Sequence, residues 1–199
     1  MMHFISSALA VISAVLLLAV FSFSGGNLRA EDAGSASNEL QVVERVDLSR
    51  YLGTWYEVAS IPVWFQKECA GGTTATYSLD TDGKISVLNQ CCTSEGKKKA
   101  AQGKAWVVDK NTNAKLKVSF FSLFGFWLFS GDYWIIDLGP NYEYAVIGHP
   151  GRSIGWILSR TPQLPDDVFR GIGERLTQKG YNFSRFKKTS QTDSACTAP

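Results

Sequence analysis

Histidine is scarce in this 199-residue chain. Of the two present, only His149 lies beyond the N-terminal stretch. That leaves little for histidine-based acid–base chemistry and argues against a zinc site. The sequence also holds no His-Glu-x-x-His and no glycine-rich phosphate loop. The usual metalloprotease and nucleotide-binding signatures are therefore missing. Asp80 and Asp82 read as turn residues rather than an acid–base pair, so no catalytic residue, metal or cofactor is expected. An excess of one charge is missing too, since 20 Lys and Arg face 18 Asp and Glu. The one basic run, Lys97-Lys98-Lys99, follows Glu95-Gly96 and reads as a solvated turn. Basic residues do not interleave with aromatics along one face, so nucleic acid is not an expected partner.

An apolar run, Ala8 to Phe23, opens the chain, and Ser24-Gly25-Gly26-Asn27 follows it. A spanning helix needs about 20 apolar residues, and this run is short for one. It has the form of a signal peptide, with Leu28-Arg29-Ala30 as the cleavage site before Glu31. Residues 1–30 are thus read as a signal peptide and residues 31–40, small and polar, as a disordered lead-in. A domain over 41–190 and a tail over 191–199 remain. The product is expected to be exported, either secreted or periplasmic and outer-membrane associated. In such a compartment Cys69, Cys91, Cys92 and Cys196 are read as disulfide cysteines, not metal ligands.

Within the domain the pattern is short strands and turns. Asp47 is placed to cap one helical turn before Gly53, and Gly53 to Ala59 follows as a strand. Further strands are expected at 72–79, 84–92, 103–109, 114–121, 132–138, 142–148 and 153–160. Asp82-Gly83 supplies a hairpin turn. Eight strands with short connections predict an all-β, up-and-down antiparallel barrel. Pro165-Asp166-Asp167 then starts a helix whose apolar face is Val168, Phe169, Ile172 and Leu176, with Gly180 as its stop. One helix after eight strands would pack outside the barrel wall.

Three stretches resemble a known family. Gly53-Thr54-Trp55-Tyr56-Glu57-Val58-Ala59 is similar to the first signature of the lipocalins. Gly131-Asp132-Tyr133-Trp134-Ile135-Ile136-Asp137, running into Tyr142-Glu143-Tyr144-Ala145, resembles the second, and Trp156-Ile157-Leu158-Ser159-Arg160-Thr161-Pro162 the third. The likeness runs from Val46 to Phe186 and leans toward the bacterial outer-membrane and apolipoprotein D-like branches. It implies an eight-stranded barrel with one C-terminal helix and a pocket for a small hydrophobic ligand of the fatty acid or lysophospholipid class, for storage or transport. The bacterial branch carries an N-terminal lipidated cysteine, and this chain has none there.

The resemblance also places residues. Gly53, Trp55 and Arg160 would seal one end, with the Arg160 guanidinium across the indole; cation–π attraction suits that pairing. Tyr77, Asn89, Phe120, Tyr133, Trp156 and Leu158 would line the cup. If Asn89 faces the cup, parity puts Cys92 outside, and family habit ties a cysteine there to the tail, giving Cys92–Cys196. Counting back from the Asp82-Gly83 turn, with a bulge, gives Cys69–Cys91. The apolipoprotein D-like pattern offers a rival: Cys69 to the tail, with Cys91 and Cys92 left together. A few lipocalins catalyse through a pocket thiol, so an isomerase or peroxidase of that type is the alternative function. Finally, Phe120 to Phe129 is too apolar for a solvated loop. It reads as rim packing, as a lip that contacts a membrane surface, or as a homodimer contact.

Overall fold

The computed structural model describes residues 39–191 and residue 196. The expected signal peptide, most of the lead-in and most of the tail lie outside the described residues. Glu39 and Leu40, assigned to the lead-in, are described, and Leu40 is buried against the barrel's outer wall.

Asp47 caps a single helical turn, α1 (Leu48–Tyr51), by accepting the Ser49 and Arg50 N–H groups at 2.9 and 3.4 Å. Gly53 then takes a φ of +91°, which a side chain would strain. The strands follow in order: β1 (Gly53–Ser60), β2 (Cys69–Leu79), β3 (Ile85–Thr93), β4 (Lys98–Val107), β5 (Lys115–Ser119), β6 (Phe121–Leu123), β7 (Phe126–Leu128), β8 (Gly131–Leu138), β9 (Tyr144–Gly148), β10 (Gly155–Ser159). Then come α2 (Asp166–Gln178) and a two-residue strand, β11 (Lys187–Lys188). The order β10-β9-β8-β5-β4-β3-β2-β1, closed by pairing of β10 with β1, makes an eight-stranded antiparallel barrel. β11 adds to the outer edge of β1, and β6 and β7 pair only with each other.

Alternation along the strands builds two cores. The inner one contains Trp55, Tyr77, Val87, Leu116, Ile135, Ile147 and Leu158. The outer one lies where Ile172 and Leu176 of α2 meet Val146 and Ile157 on the wall. Arg175 fixes the helix there, donating to Asp137 at 2.7 Å and to the Tyr144 hydroxyl at 2.9 Å. An extra residue, Val58, interrupts the β1–β10 register. Glu57, ahead of it, keeps the inward parity of Trp55, while Ala59, after it, is sent out.

Three expectations change. Lys98 and Lys99 are not turn residues: they open β4 opposite Cys92 and Cys91. That strand begins five residues earlier than expected, because residues 98–102 are exposed on both faces and show no alternation. The strand expected over 114–121 stops at Ser119, where a separate hairpin begins.

Candidate functional site

One end of the barrel is sealed. Trp55 is fully buried, and its ring nitrogen donates to the Tyr51 carbonyl at 2.8 Å. The Arg160 guanidinium lies over the indole face and donates to the carbonyls of Arg50, Leu52 and Thr54 at 2.6, 2.9 and 2.9 Å. A planar fork with several donors is what such a cluster of carbonyls needs. The segment ahead of α1 is held as well. Tyr142 accepts the Asp47 N–H at 2.7 Å, and Val46 donates to the Thr112 carbonyl at 2.7 Å.

Above the seal stands a floor of three phenols. The Tyr133 hydroxyl is 2.7 Å from that of Tyr51 and 2.9 Å from that of Tyr77. Three hydroxyl protons serve two mutual hydrogen bonds, so one proton is left to donate elsewhere. Burial pushes Tyr77 up to about 12 and raises Tyr51 and Tyr133 well above the ordinary tyrosine value. All three are therefore neutral donors at physiological pH.

Higher up, the wall changes character. Asn89 follows Val87 on the inward face of β3, opposite Ala75 and Ala101. Its Oδ1 is buried and has no hydrogen-bond partner. Ala101, though inward by parity, is exposed, as expected where a barrel is hollow rather than filled. Phe120 bends over the inward face of Gly103, where its ring would lie 2.7 Å from any added Cβ. Across the mouth, Trp156 donates to Gln66 Oε1 at 3.0 Å, and Gln66 donates in turn to Glu57 at 3.0 Å. Glu57 is buried and also accepts from Ser60 and Thr189 at 2.8 and 2.6 Å.

The six residues expected to line a pocket all face the barrel interior, at different depths. Tyr77 and Leu158 are packed into the filled lower half, and Tyr133 joins Tyr77 at the floor. Asn89, Phe120 and Trp156 border the upper half. Gly53, Trp55 and Arg160 meet at the closed end, with Arg160 Nη1 3.5 Å from where a Cβ on Gly53 would sit. Cys69 is bonded to Cys91 and Cys92 to Cys196, with Cα separations of 5.6 and 5.2 Å. Among the described residues no cysteine is free, and no cluster of three His, Cys, Asp or Glu could hold a metal. Glu57 and Gln66 are not among the site residues expected from the sequence. Only Glu57 had a signal: a carboxylate two residues after Trp55, on the inward parity of a strand.

Residues 46–191 match the family model described as a lipocalin-like domain. The chain is 41% identical over 158 residues to temperature-induced lipocalin-1 of Arabidopsis thaliana, covering 78% of this chain and 84% of that protein. It is 39% identical over 146 residues to the outer membrane lipoprotein Blc of Escherichia coli K12, covering 73% and 79%. Among solved structures, insecticyanin from the tobacco hornworm Manduca sexta superimposes with a TM-score of 0.64 at 23% identity, covering 79% of this chain and 87% of that one.

Proposed function

Because the chain belongs to the lipocalin family, we propose that its barrel is a cup that binds a small amphiphile for storage or transport. The ligand class is a fatty acid or a lysophospholipid. One observation carries the reading: Asn89 Oδ1 is buried and unpartnered on the inward face of β3, between Ala75 and Ala101. A buried acceptor left unpaired costs about 1–3 kcal/mol, and a ligand hydroxyl would satisfy it. The protonated carboxyl of a fatty acid and the free glycerol hydroxyl of a lysophospholipid both offer that donor. A pure hydrocarbon does not. Trp156 and Phe120 supply large apolar area at the mouth, the usual composition of a ligand site with few polar groups.

The role is binding, not catalysis. A thiol-dependent isomerase or peroxidase needs a thiolate, and all four cysteines are held in disulfides. Two disulfides also favour an oxidising compartment, so the protein acts after export, in the periplasm, at the outer membrane or outside the cell. Native mass spectrometry of protein purified from its host tests the reading. The expected result is a mass increment equal to one fatty acid or lysophospholipid. Protein that carries no such increment and takes none up on addition would overturn it.

A further inference from the structure

The described residues expose ten large apolar side chains, and eight of them stand on two connections at the open rim. The other two, Leu79 and Val108, lie at the closed end. At the rim Trp64, on the turn after β1, is 82% exposed, and Phe126, on the β6–β7 hairpin, is 71% exposed. The two extreme cases are Phe124 and Phe129, at 91% and 88%. Both take left-handed backbone, with φ of +49° and +54°. A bulky residue is strained in that region, and strained residues gather at functional surfaces. The hairpin is firmly rooted. Ser119, almost wholly buried, accepts the Phe121 N–H at 3.3 Å, and its hydroxyl faces the Phe121 and Leu128 carbonyls. Apolar rings are thus held out in water by a fixed base.

The charge around these rings has one sign. Each rim acid except the buried Glu57 is matched by a lysine: Glu68 by Lys99 at 2.5 Å, Glu95 by Lys97 at 2.7 Å and Asp132 by Lys117 at 2.8 Å. Lys67 and Lys98 are exposed and make no ion pair among the described residues. Five lysines against four acids, one of them the buried Glu57, leave the rim surface positive. Among the described residues no helix is long and apolar enough to cross a membrane, so any lipid contact of this region is by surface docking.

We propose that the open rim docks on an anionic phospholipid bilayer, with Phe124, Phe126, Phe129 and Trp64 entering the interface and Lys67 and Lys98 facing the headgroups. Aromatic rings are favoured at the membrane–water boundary, and each nearby Lys is attracted to an anionic surface. A second copy of the chain fits less well, because two rims face to face would oppose their lysines. Docking this way puts the mouth of the cup against the lipid, so an amphiphile could enter without crossing water. That consequence rests on the cup being the ligand site; the docking itself does not.

Vesicle co-sedimentation of the exported protein tests it. Wild type should sediment with phosphatidylcholine vesicles containing roughly one-third phosphatidylglycerol, and much less with pure phosphatidylcholine. The pair Phe124→Asp and Phe126→Asp should weaken this by roughly tenfold or more, and Lys98→Glu by about fivefold with a shallower salt dependence. Both variants should take up lysophospholipid from solution as wild type does, which separates failure of docking from failure of the ligand reading. If the paired variant does not fold, brominated phospholipid decides with wild type: the part of the tryptophan emission that comes from Trp64 and Trp127 on the rim should be quenched, and total emission unchanged by the brominated lipid contradicts the proposal. Equal sedimentation of wild type and Lys98→Glu overturns it. So does a wild-type dimer that becomes monomeric in the hairpin variant while neither binds vesicles.

Discussion

The Arg160 guanidinium carbon lies 3.7 Å from the centre of the Trp55 ring, and its donors reach carbonyls from Arg50 to Thr54. One residue from the last barrel strand's end thus locks the residue that plugs the first. Trp55→Ala removes a fully buried indole and should cost about 3–5 kcal/mol. Arg160→Ala should cost about 2 kcal/mol, the scale of a desolvated cation–π contact. Arg160→Lys should recover little of that, because an ammonium cannot serve several carbonyls in one plane. Urea unfolding measures all three; a Trp55→Ala protein as stable as wild type would contradict the seal.

Alkaline pH should weaken the fold. Tyr77 is pushed up to about 12 by burial, and Tyr51 and Tyr133 are raised in the same direction. Folded values above the unfolded ones mean that the unfolded chain loses its phenol protons first. The stability is intact below pH about 10 and is lost as pH rises through about 12, with a slope of up to about 1.4 kcal/mol per pH unit for each phenol. Unfolding midpoints across that window should fall, and Tyr133→Phe should flatten the fall. A flat wild-type profile would contradict the buried phenol floor.

The two disulfides should differ in worth. Cys92–Cys196 closes 104 residues and Cys69–Cys91 closes 22. Restricting the unfolded chain gives about 5 kcal/mol for the longer loop and about 3 for the shorter. Removing each pair by double Cys→Ser substitution should leave no free thiol and rank the losses in that order. Free thiols in either double variant would point to another pairing.

Much of this architecture is legible in the sequence because alternation and turn chemistry are local. Ile85 and Val87 against Ser86, and the Asp82-Gly83 turn, mark a hairpin without help from the rest of the chain. The first half of β4 was hidden, since Lys98-Lys99-Ala100-Ala101-Gln102 is exposed on both faces and carries no period. The hairpin at Phe124-Gly125 was hidden for another reason: its tight turn puts phenylalanine where Asn or Gly is usual. The mouth network of Glu57, Gln66, Trp156 and Thr189 joins residues up to 132 apart in sequence, and no local signal announces such a meeting. The bulge at Val58, which sends Ala59 outward, is likewise invisible to simple parity.

Asn89 should tune ligand choice. Asn89→Leu removes the unpartnered acceptor while keeping the branched side-chain shape. Uptake of ligands with a free hydroxyl or carboxyl should weaken by roughly tenfold, and that of a matched alkane should hold or improve. Competition titrations of the two ligand types against wild type and variant give the comparison. Equal weakening of both types would mean that Asn89 acts through packing alone.

The proposed function depends most on a cup that fills with an alkyl chain. Titration of the exported protein with saturated lysophospholipids of increasing chain length, followed by tryptophan fluorescence, addresses that most directly. Each buried methylene contributes roughly 0.8 kcal/mol, so Kd should fall about fourfold per added carbon until the cup is full and then level off. Trp156→Ala should raise Kd across the series, since that ring borders the mouth. An affinity that does not change with chain length would contradict a barrel pocket.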